Sequence, residues 1–420
     1  MSMGLVAENF VHDPPALSIE LTQAGALDFR PHPSGLFVAS YMADAALTNV
    51  IDMGHKAWWR DNGIIARGLA IRGTDDDLIM ARGVGGAFLK FLHMNESLID
   101  AAIQDPDAPR LPVRVDATTF ANDNEPRDQT DSTAYTIWLP GWLALHGIQK
   151  LSRDDLGIMS KVVRYLDAGK YWRRPDQGCW EEDTQLHASS IGAAVAGLEA
   201  VEGVFADRDY RSSIEFKRLI GRGKRALHGI LPFETPPSVT FAGRPFDASH
   251  LFLAETFRAL SPAVAMRQIW GIHHNLVREH GVIRYIRDTY FGPGFTQMLE
   301  GAARTQMSEE SLKQRDTLAN ETERTQSEAQ WMLFDSILSA YWGRRFESSH
   351  NQGHRRLQLE YMNRYLAQHI QIAGGGLRIP ELKYRETVES DVWQPNDHTP
   401  LLMAQATGLL ALHQFEQTAA

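Results

Sequence analysis

Apolar residues recur at three- and four-residue intervals through most of the chain, and alternation at every second position hardly appears. Residues 63–70 read as an apolar helix, and residues 78–100 as another ending near Asp105-Pro106-Asp107-Ala108-Pro109. Asp154–Leu166 is amphipathic, with Leu156, Met159, Val162, Val163 and Leu166 on one face. A helix follows residue 183 to about Val204, and Ser212–Leu231 forms one with a basic, solvated face. The rhythm continues through 252–260, 263–278, a polar surface helix within 308–330, a buried helix from Trp331 to Leu338, and 357–372. The last helix runs from Pro400 to about Phe415, with Asn396 or Asp397 near its N-cap.

A second regularity lies across these elements. Polar or aromatic loops repeatedly stand just before helices rich in Ala and Gly, such as Ala188-Ser189-Ser190-Ile191-Gly192-Ala193. Helices of that composition pack closely on all sides, as the inner helices of a two-layer helical toroid must. One end of such a toroid would collect all the polar loops. No short repeat and no linker divides the chain, so residues 1–420 read as one domain, with 1–30 set apart as a candidate N-terminal extension.

Composition narrows the function. The 420 residues are 43% hydrophobic and 22% charged, enough for a large core. A net charge of -10 argues against a nucleic-acid partner, and no apolar run approaches a membrane span. The N-terminus lacks a basic, then apolar, leader pattern, and the single Cys179 suits a reducing compartment, so a cytoplasmic location is expected. Asp75-Asp76-Asp77 lacks calcium-loop spacing and reads as a helix start; Gly83-Val84-Gly85-Gly86 follows no strand and is no phosphate loop. His350 and His354, read as sharing a helix face, have no third ligand at useful spacing, and His273-His274 adds none. Neither a metal nor a cofactor is expected.

The chemistry concentrates at Trp180-Glu181-Glu182. Glycoside hydrolysis needs a carboxyl group kept protonated near neutral pH, and apolar neighbours raise a carboxyl pKa by desolvating its charged form. Glu181 is therefore a candidate general acid, and Trp180 a flat face for a sugar ring. Elsewhere stand Trp58-Trp59-Arg60-Asp61-Asn62, Gln129-Thr130-Asp131, Arg284-Tyr285 with Asp288-Thr289-Tyr290, the buried run opening at Trp331, and Pro380-Glu381. Read locally, Arg60–Asp61 is a salt bridge and Asp131 a helix cap.

In order and spacing these motifs, the Trp331 run apart, resemble glycoside hydrolase family 15, the glucoamylases, and the related phosphorylase kinase α and β subunits, from about residue 30 to 415. The resemblance implies an all-α (α/α)6 barrel and an inverting, exo-acting hydrolase that releases β-glucose from small α-glucosides. It implies Glu181 as general acid and Glu381 as general base, with Glu386, Glu389 and Asp391 as competitors for the latter role. It also implies substrate contacts from Trp58, Arg60, Asp61, Asp131, Trp180, Glu182, Arg284 and Trp331. An inverting pair stands about 6.5–9.5 Å apart, leaving room for a water. Linkage stays open among α-1,4, α-1,6 and trehalose. The competing implication is a non-catalytic carbohydrate-sensing module like a kinase subunit, whose loop carries a comparable Pro-Glu-Leu.

Overall fold

Helix α7 (Ala188–Asp207) is buried along almost its whole length, because Ala, Gly and Ser let neighbours approach from every side. The structure, a computed structural model, describes residues 4–41, 54–122, 128–182, 184–238, 243–293, 309–372 and 375–419. Before α7 come α1 (Pro14–Gln23), α2 (Trp59–Arg72), α3 (Asp75–Met94), α4 (Glu96–Gln104), α5 (Thr130–Leu145) and α6 (Arg153–Ala168). After it come α8 (Phe216–Ile230), α9 (Pro262–Asn275), α10 (Glu309–Thr325), α11 (Phe334–Ser349), α12 (Gln352–Ala367) and α13 (Leu402–Gln417).

Contacts close an inner ring: α2 packs on α5, α5 on α7, α7 on the π-type turn Phe252–Thr256, that turn on α11, α11 on α13, and α13 back on α2. Outside it, α3 covers α2 and α5, α8 covers α7, α9 backs the π-type turn, α12 backs α11, and α1 backs α13. This is the all-α (α/α)6 barrel. Helix α7 has the length and apolarity to cross a membrane, but it is an inner barrel helix and its apolar stretch is 83% buried in the protein. The N-terminal stretch supplies, in α1, the outer partner of the last inner helix.

Helix ends follow local chemistry. Thr74 and Asp77 form a capping box that starts α3, so the acidic triplet is a helix start; Ser152 and Asp155 do the same for α6. Gly83 to Gly86 lie inside α3. The inner helices approach backbone to backbone: a Cβ on Gly68 would stand 2.6 Å from the Ala406 carbonyl oxygen, between α2 and α13. Gly68→Ala is therefore expected to lower the urea midpoint, by overpacking worth about 1–3 kcal/mol.

Short antiparallel ribbons shape the barrel mouth. Strand β1 (Lys56–Trp58) pairs β2 (Arg114–Asp116); β3 (Gln330–Trp331), β6 (Leu382–Tyr384) and β7 (Gln394–Pro395) form a second sheet; β4 (Ile370–Gln371) pairs β5 (Leu377–Arg378). Several expectations change here. Trp331 lies in β3, not in a helix, because it pairs with Leu382 across a chain separation no local pattern records. Residues 78–100 divide between α3 and α4 at Asn95. The 212–231 helix starts at Phe216, and 252–260 reduces to the π-type turn. His350 is the left-handed C-cap of α11 and His354 belongs to α12, so the two share no helix face. The N-cap of α13 is Leu401, which frees Asn396 for another role. Residues 123–127 of the polar loop 122–128, Asp183, Gly294 of the turn Gly292-Pro293-Gly294, residues 301–308 and Gly374 of the turn Gly374-Gly375-Gly376 lie outside the described residues.

Candidate active site

The sequence before each inner helix sets this site. Trp58 is the N-cap of α2, Arg60 and Asp61 sit in its first turn, and Asp131 sits in the first turn of α5. Glu181 and Glu182 precede α7, Trp331 precedes α11, and Glu381 precedes α13. The N-terminal end of a helix carries partial positive charge and favours carboxylates there. All the inner helices thus aim one kind of end at one mouth.

Asp176 builds the loop that carries the candidate acid. Its Oδ1 accepts from the Gly178 amide at 2.8 Å and the Ser190 hydroxyl at 3.0 Å, and its Oδ2 accepts from the Thr130 amide at 3.0 Å. One buried carboxylate therefore fastens the loop to the starts of both α5 and α7. Gly178 has φ +62, and a Cβ there would stand 2.7 Å from the His187 ring. Glu181 itself has φ +58, a strained conformation for a residue with a side chain. Its Oε1 accepts from Trp58 Nε1 at 2.6 Å, with Arg60 Nη2 3.7 Å away.

Arg60 donates to Asp131 Oδ2 at 2.9 Å. Asp61 is 7% exposed, close to the Glu381 charge and to Arg60. Burial, with a push from the Glu381 charge and against the pull of Arg60, raises the Asp61 pKa to about 6. Glu381 is buried, and its Oε2 takes three contacts: Asn396 Nδ2 at 2.6 Å, His398 Nδ1 at 2.7 Å and the Tyr290 hydroxyl at 3.5 Å. Its position next to β6 ties it to β3, where the Met332 amide donates to the Glu381 carbonyl at 3.0 Å.

Glu182 is an anchored anion. Arg244, Arg284 and the Tyr285 hydroxyl each donate to it at 2.8 Å. Arg284 also donates to Asp288 through Nε at 2.7 Å and Nη2 at 2.6 Å. The rings of Tyr290, Trp180 and Trp331 surround its guanidinium at 4.9, 5.2 and 5.2 Å. Trp180 donates its Nε1–H to Asp247 at 2.8 Å and packs among Phe252, Trp331 and Phe334. Beneath the loop, Glu234 joins His187, His250 and the Ser189 amide and hydroxyl. Burial works against its charge, but the two histidines hold it well below the usual carboxylate range.

Among the buried polar atoms without a protein hydrogen-bond partner, Asp131 Oδ1, Gln177 Oε1, Trp331 Nε1 and Asn396 Oδ1 belong to this mouth. Both donors and acceptors are present. A polyhydroxylated ligand satisfies such a mixture; a purely anionic or cationic one does not.

No family model matches the sequence. Solved structures do match over nearly the full chain. A glycosidase in complex with glucose is 19% identical, over 98% of this chain and 99% of its own, with a TM-score of 0.67. The glucoamylase from Saccharomycopsis fibuligera is 12% identical, over 99% and 96%, with a TM-score of 0.61. The fold is that of the glucoamylases. A bacterial glucoamylase complexed with acarbose matches at 16% identity and a TM-score of 0.60, over 92% of this chain and 53% of that one.

On this glucoamylase fold the residues singled out from sequence fall at one mouth. Arg60 pairs with Asp131 and not with its neighbour Asp61, and the N-cap of α5 is Gln129, so both local readings give way to one long-range ion pair. Trp180 has its ring taken up by packing and by Arg284, so it serves as a wall of the site. Glu386, Glu389 and Asp391 are exposed while Glu381 is buried, which singles out Glu381. Sequence reading missed Arg244, Asp247, Glu234 and His398. The one signal available was the polar run Arg244–His250, whose Asp and Arg lie before an apolar stretch as in the other motif loops.

The Asp61 shift carries a pH signature. With its pKa at about 6 in the folded protein and 3.8 as the unperturbed value, the folded state holds a proton between those pH values that the unfolded chain has lost. Stability then falls as pH rises through that window, and the ionised group costs on the order of 3 kcal/mol above it. Asp61→Asn is expected to melt higher than wild type at pH 7.5, with the difference vanishing below about pH 4. Thermal melts at both pH values check this.

Proposed function

We propose that this protein is an inverting, exo-acting glycoside hydrolase that releases β-D-glucose from the non-reducing ends of small α-glucosides. The convergence of Glu181 and Glu381 at one mouth, each presented by a loop before an inner helix, carries this reading. Glu181 is the acid: Trp58 donates to Oε1, with Arg60 3.7 Å away, and so holds the carboxyl in place to deliver its proton to the glycosidic oxygen. Glu381 is the base: Asn396 and His398 fix Oε2, so Oε1 takes the proton of the attacking water. Asp61 and Arg60 contact the terminal glucose, where an acceptor and a guanidinium suit neighbouring hydroxyls. Asp131, Trp58, Trp180 and Trp331 shape that pocket, and Glu182 with Arg284 flanks the scissile bond. The protein works without metal or cofactor, in the cytoplasm.

The test is proton NMR of fresh reaction mixtures with maltose, isomaltose, trehalose and longer maltodextrins. The expected first product is β-glucose, followed by slow mutarotation. Initial α-glucose would overturn inversion. Glycan binding without turnover would favour the sensing module over the enzyme.

A further inference from the structure

Well inside the barrel, α2 carries Arg67, seven residues and therefore about 10 Å beyond Arg60 along the helix. It is 4% exposed, and its Nε and Nη1 have no hydrogen-bond partner. Its Nη2 donates to the Glu255 carbonyl at 3.3 Å and stands 4.0 Å from the Glu255 carboxylate. That carboxylate is already committed. Arg344 donates to Glu255 Oε2 through Nε at 2.9 Å and Nη2 at 2.7 Å, and Arg258 lies 3.5 Å from Oε1. Three guanidiniums therefore face one carboxylate.

An arginine cannot shed its proton, and a buried cation without a counter-charge is costly. Two buried hydroxyls on the neighbouring elements also lack a hydrogen-bond partner. These are Tyr135 Oη on α5, which packs on α2, and Thr256 Oγ1, next to Glu255 in the π-type turn. π-type turns are frequent at functional sites. Groups able to donate, around an excess of positive charge, specify an anion. Arg344 and Arg258 reach solvent, but Arg67 is almost wholly buried against the π-type turn, so only a small ion fits beside it. We propose that the barrel floor binds one small inorganic anion of chloride size against Arg67, on the far side of the inner ring from the carboxylate mouth.

Two measurements test this on the full chain. Crystals grown in bromide should show an anomalous peak within hydrogen-bonding reach of Arg67 Nε or Nη1. At constant ionic strength, replacing gluconate by chloride should raise the melting temperature of the wild type, and Arg67→Met should abolish that rise. Should Arg67→Met fail to fold, Tyr135→Phe keeps the cation and removes one donor. It should then weaken the apparent chloride affinity about tenfold. Water alone at Arg67 with no chloride effect overturns the proposal. So does a bromide peak whose chloride effect survives in both variants, which would mark an adventitious ion only.

Discussion

Glu181→Gln is expected to lower kcat by about 10²- to 10⁴-fold, the usual worth of a positioned proton donor, with little change in KM. The amide keeps the shape of the carboxyl and still accepts from Trp58 Nε1, so the loop retains its contact at 2.6 Å. What disappears is the proton for the leaving oxygen. Glu381→Gln should fall by a similar factor for a different reason: an amide cannot take a proton from water. The two are separable. A substrate with a good leaving group, such as an α-glucosyl fluoride, needs little acid assistance. It should restore turnover in Glu181→Gln and leave Glu381→Gln inactive. Steady-state kinetics with both substrates checks this, and equal loss on the fluoride in both variants would reject the division of roles.

Arg284→Met is expected to be the most destabilising single change at the site, by about 3–5 kcal/mol. Arg284 is 2% exposed and is held by both Glu182 and Asp288, the latter 0% exposed. Removing the guanidinium takes from Asp288 the one cation that pairs with it among the described residues, and takes from Glu182 one of its two arginines, Arg244 being the other. It also empties the space among Tyr290, Trp180 and Trp331 that the guanidinium fills. Urea denaturation reads the loss. The double variant Arg284→Met with Asp288→Asn should recover part of it, because the buried charge then goes with its partner. A double variant no more stable than the single would show that packing, and not charge, dominates.

The order of the elements was legible because helix formation is governed by near neighbours. The 3.6-residue rhythm of Leu156, Met159, Val163 and Leu166, the capping chemistry of Thr74 and Ser152, and the small residues of 188–197 act within a few turns. They determined which segments are helices and which of those can stand inside a second layer. The placement of Trp58, Arg60, Asp61, Asp131 and Glu181 just before or at the start of those helices, and of Glu381 in the long segment leading to the last, was equally a property of the linear chain. Their assembly at one mouth followed once inner helices run parallel.

What tertiary structure alone decided is pairing. Arg60 meets Asp131 across 71 positions, Trp58 meets Glu181 across 123, and Arg284 meets Glu182 across 102. Nothing in a helical period encodes such separations; they exist only when the ring of inner helices closes. The same closure buries Glu381 beside Asn396 and His398 while leaving Glu386, Glu389 and Asp391 in solvent. It brings Arg244 and Asp247 under Trp180 and Glu182, and it moves Trp331 from a helix into a strand opposite Leu382. Charge and burial at these positions are set by partners from other helices, so sequence could nominate the carboxylates but only the closed barrel could assign their neighbours.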